Sequence, residues 1–182
     1  MNNSVYLQFL TATIDPNDET PRIDKLQYEL VSRLIAAFDS KREINRYGRH
    51  SEYENISSVR SAVLIFLPGI GEIEAMHKAL IDFETNAVHK NYWHILPLHS
   101  RITSEEQSRV FQPISSLPPN FRHFRKIILS TNIAESSITV PDITYIIDFC
   151  LTKQLTTDTE TNFCSLKVIR IIFTSTNLFH IF

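Results

Sequence analysis

Glycine is scarce in this 182-residue chain, with only Gly48, Gly69 and Gly71 present. A glycine-rich loop that cradles phosphates needs clustered glycines followed by Lys and Ser or Thr, and no such loop can be built from these three. Cysteine is equally sparse. Cys150 and Cys164 exclude a disulfide framework, lack metal-ligand spacing with histidines, and read as free thiols of a reducing compartment. His50, His77, His89, His94, His99 and His123 form no ligand constellation. Excess positive charge is missing too: 18 Lys and Arg stand against 20 Asp and Glu, a net charge of −2. Composition therefore advertises no nucleic-acid partner, and any such contact has to be local. No apolar run approaches the roughly 20 residues of a membrane helix. The most apolar stretch, 168–182, is interrupted by Arg170, Thr174, Ser175, Asn177 and His180. Residues 1–10 show neither the basic start nor the apolar run of a secretory signal. The expected location is cytoplasmic, with no membrane partner.

What the chain does have is 43% hydrophobic residues and enough length to bury about 70% of its unfolded surface in one domain. Residues 2–20 carry no clear period, and 15–21 are turn-rich, so 1–22 reads as a lead-in or linker. Leu26, Leu30, Val31, Leu34, Ile35 and Phe38 then share one helical face, with Thr20 and Pro21 as cap and first-turn residues. The polar, mixed-sign stretch 40–58 reads as a solvated loop. From residue 61 the texture alternates: a strand at 62–67, a helix at 72–83, a strand at 93–98, a helix at 104–111, then strands at 126–129 and 143–147. Strands apolar on both faces and joined by helices predict a doubly wound α/β domain, its parallel sheet covered on both sides by right-handed crossovers. Ser104 with Gln107, or Thr103 with Glu106, forms a capping box for the second of these helices. Trp93 and Phe121 read as packing residues.

In such a sheet, ligands bind beyond the carboxyl ends of the strands. The first strand leads into Pro68-Gly69-Ile70-Gly71, where glycine lets the backbone turn and approach a ligand closely. The second ends in His99-Ser100-Arg101, a hydroxyl and a guanidinium suited to phosphate oxygens. The third ends in Ser130-Thr131-Asn132, followed by Glu135, Ser136 and Ser137. Taken singly, the Pro-Gly turn is a common loop, His-Ser-Arg is more often only a loop, and the third cluster reads as readily as a hydrogen-bonded turn and cap.

Read together, LIFLPG at 64–69, LHSR at 98–101 with SEEQSRVF at 104–111, and STNIAESSITVPD at 130–142 carry a different message. Their order and spacing closely resemble the second RecA-like lobe of DEAH-box ATP-dependent RNA helicases, over about 23–167. DFCLTK at 148–153 and TDTETN at 157–162 look most like the spindle-E type, the Tudor-domain helicases of the piRNA pathway. The resemblance implies a RecA-like lobe of the P-loop NTPase class with a β-hairpin near the C-terminus, its strands near 152–156 and 163–168. It implies RNA-backbone contacts at Gly69, Ser100, Arg101, Thr131 and Asn132, and adenine stacking by Phe111, which on its residues alone reads equally as a core plug beside Pro113. Glu135, Ser136 and Ser137 would couple nucleotide state to RNA grip.

The resemblance also implies single-stranded RNA as partner, piRNA-pathway proteins beside it, and ATP with Mg2+ as cofactors of an intact enzyme. The nucleotide loop and acidic Mg2+ box of that enzyme belong to a first lobe, and its arginine-rich last motif has no counterpart here, since Arg170 is the only arginine beyond Arg125. The expectation is a truncated lobe, 23–167, with a hydrophobic non-family tail at 168–182, marginal stability, no tight ATP binding and no catalytic residue of its own. A non-catalytic RNA- or partner-binding module competing with a full-length helicase is the alternative, and a small-ligand α/β domain the third.

Overall fold

The computed structural model describes residues 5–8 (backbone only), 21–40, 62–87, 93–113, 125–131, 140, 142–157 and 162–170. Five strands, β1 (Val5–Gln8), β2 (Ala62–Leu67), β3 (Trp93–Leu98), β4 (Arg125–Thr131) and β5 (Ile143–Asp148), form one sheet in the order β1-β5-β2-β4-β3. Every neighbouring pair is parallel. The order follows from the pattern of burial. The two central strands with wholly buried residues, β2 and β4, lie side by side where both faces are covered.

Side-chain alternation divides the sheet into two cores. Val63, Ile65, Leu67, Ile127, Leu129 and Ile147 point to one face, where Val31 and Ile35 of α1 (Lys25–Ser40) and Ile73, Met76 and Leu80 of α2 (Ile70–Asn86) cover them. Leu64, Phe66, Leu96, Leu98, Ile128 and Ile146 point to the other, closed by Val110 of α3 (Ser104–Phe111) and by Val140. Each fully buried Ile or Leu contributes about 1.5–3 kcal/mol relative to exposure. The doubly wound α/β domain expected from the alternating pattern is thus the observed one.

Three details differ from the sequence reading. The stretch taken as a lead-in supplies β1, whose Val5 to Gln8 pair with Tyr145 to Asp148 at the sheet edge; a four-residue edge strand is too short to show a period. Thr20 and Pro21 do not start α1. Asp24 does: its Oδ1 accepts the Gln27 amide at 2.9 Å while Gln27 Oε1 accepts the Asp24 amide at 2.9 Å, a reciprocal capping box. Lastly, β6 (Leu151–Thr157) and β7 (Cys164–Arg170) form an antiparallel hairpin that runs past residue 167. Val168, Ile169 and Arg170 pair with Lys153, Thr152 and Leu151, and Val168 packs on the α1/α2 core, so those residues belong to the fold rather than to a tail. Ser40 closes α1; the rest of the loop read at 40–58, together with Phe121, His50, His89 and His123, lies outside the described residues.

The strand starts are tied together by polar groups. Arg125 Nε donates to Asp39 Oδ1 at 2.5 Å, with both side chains almost wholly buried. Trp93 Nε1 donates to Asp39 Oδ2 at 2.8 Å, and the Trp93 amide donates to Glu84 Oε1 at 3.0 Å. The Arg125 guanidinium lies over Tyr145 at 5.7 Å, Tyr145 stacks on Phe38 at 4.2 Å, and Trp93 stacks on Phe83 at 5.6 Å. The last turns of α1 and α2 are thereby clamped to the starts of β3, β4 and β5, and Trp93 is a packing residue as expected.

Candidate functional site

Parallel register brings the strand ends level. Leu67 pairs with Thr131, Phe66 with Ser130 and with Asp148, and Leu98 with Ser130. Across the sheet, the edge therefore runs Asp148, the Gly69 turn, Thr131, then Ser100 and Arg101. Three gaps of about 4.8 Å make this row about 14 Å long. Gly69, Ser100, Arg101 and Thr131 are thus gathered on one edge. Asn132, Glu135, Ser136 and Ser137 lie outside the described residues.

Gly69 is the N-cap of α2, with extended φ −173° and ψ −178°, a conformation open to any residue. The space beside it is taken by side chains of the same chain. A Cβ there would collide with Lys153 Nζ, with Lys153 Cε at 2.9 Å and Glu72 Oε2 at 3.0 Å. Gly71 faces open space and sits within the helix, so of the two glycines only Gly69 has a close neighbour, and that neighbour is Lys153. Lys153 Nζ in turn donates to Glu72 Oε2 at 2.9 Å.

Ser100 and Arg101 are exposed in the turn after β3. The Arg101 amide donates to His99 Nδ1 at 3.2 Å and the Ile102 amide to the His99 carbonyl at 3.3 Å, which fixes the turn backbone and leaves the Arg101 side chain projecting. The turn ends in the Thr103–Glu106 capping box, the earlier of the two expected. Hydrogen bonds from the Thr103 amide and hydroxyl hold the Glu106 carboxyl below its ordinary pKa. Thr131 closes β4 at 9% exposure, its carbonyl accepting from Ser130 Oγ at 3.1 Å.

Phe111 stands elsewhere. It is partly buried against the core on the α3 face, and the carbonyls on either side of it, those of Val110 and Gln112, accept hydrogen bonds from Lys126 Nζ, the latter at 2.9 Å. Lys126 lies five residues before Thr131 on β4, about 16 Å at strand rise. Phe111 is therefore at the strand-start end, apart from the row. Sequence reasoning missed Lys126, although a lysine in an otherwise apolar buried strand is a signal. Burial lowers its pKa, against the attraction of Asp142.

Asp148 was also missed as an organising residue. Its Oδ1 accepts the Cys150 amide at 2.7 Å, and Cys150 takes φ 56°. This turn sends the chain from β5 into the hairpin. The Cys150 thiol is pushed up to about 11, chiefly by burial and then by Asp148; Cys164 is exposed, and both are free. A groove of about 750 Å³ lies between α1 and α2, among Lys25, Tyr28, Glu29, Lys78 and Asp82, but holds no residue of the row. No group of three His, Cys, Asp or Glu side chains suited to a metal occurs among the described residues. Among them, too, no helix is long and apolar enough to cross a membrane.

A parallel sheet wrapped on both faces, with its polar row at the strand ends and an antiparallel hairpin after the last strand, defines a RecA-like helicase lobe. Residues 51–162 match the helicase conserved C-terminal domain, and the chain belongs to that family. It is 48% identical over 153 residues to mouse "ATP-dependent RNA helicase TDRD9", covering 82% of this chain and 10% of that protein. The human TDRD9 helicase is 46% identical over 162 residues, 87% of this chain and 11% of that protein. "Probable ATP-dependent RNA helicase spindle-E" of Drosophila persimilis is 44% identical over 149 residues, 82% of this chain and 10% of that protein. The chain spans about a tenth of the length of these curated relatives. Among solved structures, the Escherichia coli DExH-box NTPase HrpB shares the fold at a TM-score of 0.60, with 20% identity over 92% of this chain and 16% of that one.

Proposed function

We propose that this chain serves as the second lobe of an ATP-dependent RNA helicase of the DEAH type, holding half of an RNA track at the strand-end row. The observation that carries this reading is the shared register, which sets Gly69, Ser100, Arg101 and Thr131 on one edge. One backbone turn, two hydroxyls and one projecting guanidinium offer phosphate and sugar contacts. That composition suits a motor that must move through any sequence. In this reading Asn132, next in the sequence, adds a further RNA contact, and Glu135, Ser136 and Ser137 relay nucleotide state to the RNA grip.

Phe111 is the stacking face for adenine. ATP and Mg2+ serve the intact enzyme, and of the described residues Phe111 is the one this reading gives to the base. With only three glycines in the chain there is no glycine-rich cradle, so in this reading a first lobe holds the phosphates and Mg2+, and the chain alone is expected not to turn over ATP. Similarity to TDRD9 and spindle-E supports a cytoplasmic role beside piRNA-pathway proteins.

The test is a titration of fluorescent single-stranded RNA across a salt series. Wild type is expected to bind with salt-dependent affinity, Arg101→Ala to lower the salt slope by about 1, and Thr131→Ala to weaken binding at all salts. RNA affinity that is identical in all three proteins overturns the track.

A further inference from the structure

The hairpin leaves the lobe gradually. Leu151 is 1% exposed, Lys153 partly buried, and Leu155 is 63% exposed opposite Leu166 at 62%. Among the described residues, Lys153 is the outermost of β6 with an ion pair to the rest of the lobe, and that partner is Glu72 in the first turn of α2. The pair lies directly against Gly69, where any Cβ would strike the ammonium and its Cε. Glycine at 69 thus leaves room for Lys153. With side chains 29% and 25% exposed at 2.9 Å, the two charges are shielded enough from solvent for their attraction to count.

We propose that Lys153 is a positioning residue: its ion pair with Glu72, seated in the space that Gly69 leaves, fixes the hairpin to the turn, so that the strand-end row and the hairpin present one surface to RNA. The significance for RNA rests on the track reading; the tie itself does not. A neutral pair in the same places would pack but not hold. A side chain at position 69 would make the flexible end of Lys153 shift.

Amide hydrogen exchange of the purified chain, without RNA, tests it. Glu72→Gln and Lys153→Gln are each expected to speed exchange in 152–157 and 164–170 about 3–5-fold, as for a pair worth up to about 1 kcal/mol, while β2 and β4 stay protected. Reversing both charges, Glu72→Lys with Lys153→Glu, is expected to return the hairpin to within about twofold of wild type. Unchanged hairpin exchange in Glu72→Gln, or a reversed pair as fast as the single variants, overturns the proposal. Since Glu72 is partly exposed, its glutamine variant remains informative even where a change at Lys153 unfolds the chain. RNA titration of Arg101→Ala then reports separately on the track.

Discussion

The two ends of the sheet use similar residues to opposite effect. At the strand starts, the guanidinium of Arg125 is buried on Asp39 and Tyr145, and Asp39 also takes the Trp93 indole. At the strand ends, Arg101 is exposed and, among the described residues, is tied down through its backbone. One arginine is bound to its own fold; the other projects. An α/β sheet whose ligand edge lies at the carboxyl ends can place its costly buried charges at the opposite edge. There they specify how helices dock, while polar groups on the working edge remain available for a partner. Arg125 thus belongs to the architecture, whereas Arg101 is the arginine for which we propose contact, although both stand beside an apolar strand in the sequence.

The sharpest way to break that contrast is to remove Asp39. Asp39→Ala strips the carboxylate from a buried guanidinium and from the Trp93 indole, and should cost about 3–5 kcal/mol, lowering Tm by about 10 °C or more. Asp39→Ala with Arg125→Met should recover much of the loss, because an uncompensated charge costs more than an apolar replacement. Ser100→Ala with Arg101→Ala, at the other end, should stay within about 0.5 kcal/mol of wild type. Urea melts of the four proteins check the set; equal losses at both ends would erase the distinction.

A smaller effect is expected where the two functions meet. Lys126 belongs to the strand-start end by position but holds the end of α3, with Phe111 between its two carbonyl acceptors. A cation there also complements the negative end of the helix. Lys126→Met should cost about 1–3 kcal/mol by leaving buried carbonyls unpaired, and should loosen exchange at 110–112 ahead of the rest of α3. Loss of stability without local loosening would place Lys126 in the general core and not under Phe111.

Much of this was legible from the residues. Strands at 62–67 and 93–98 and the helix at 104–111 coincide with β2, β3 and α3, because a buried strand and a capped helix write strong local patterns. The helix at 72–83 extends to Ile70–Asn86, since its Gly69-Ile70-Gly71 start looks like a loop until it folds. Four of the residues expected at the working edge or the stacking face are placed as surface or edge groups: Gly69, Ser100, Arg101 and Thr131 share one row. Phe111 stands apart from them because a helix of eight residues carries the chain back toward the strand starts. What local pattern could not give was pairing between distant residues. Asp39 meets Arg125 across 86 positions and Glu72 meets Lys153 across 81, and nothing in either neighbourhood names its partner. The glycine at 69 illustrates the same limit: its identity was read as room for a ligand, yet the space is filled by Lys153 from the hairpin.

The smallest expected effect is one of pH, at the strand starts. His94, the second residue of β3, has its pKa lowered, first by burial and then by the nearby charges of Lys126 and Arg109. The folded state therefore holds it neutral where the unfolded chain takes up a proton near pH 6.5. Below that point the unfolded state binds more protons, so stability is lost as pH falls through 6.5 toward the lowered folded value. Thermal melts between pH 7.5 and 5 should show a fall in Tm that is reduced in His94→Gln, with a difference of no more than a few degrees. A fall of the same size in both proteins would mean that the acid sensitivity arises elsewhere, and that the strand-start end is less closed to protons than its buried pairs imply.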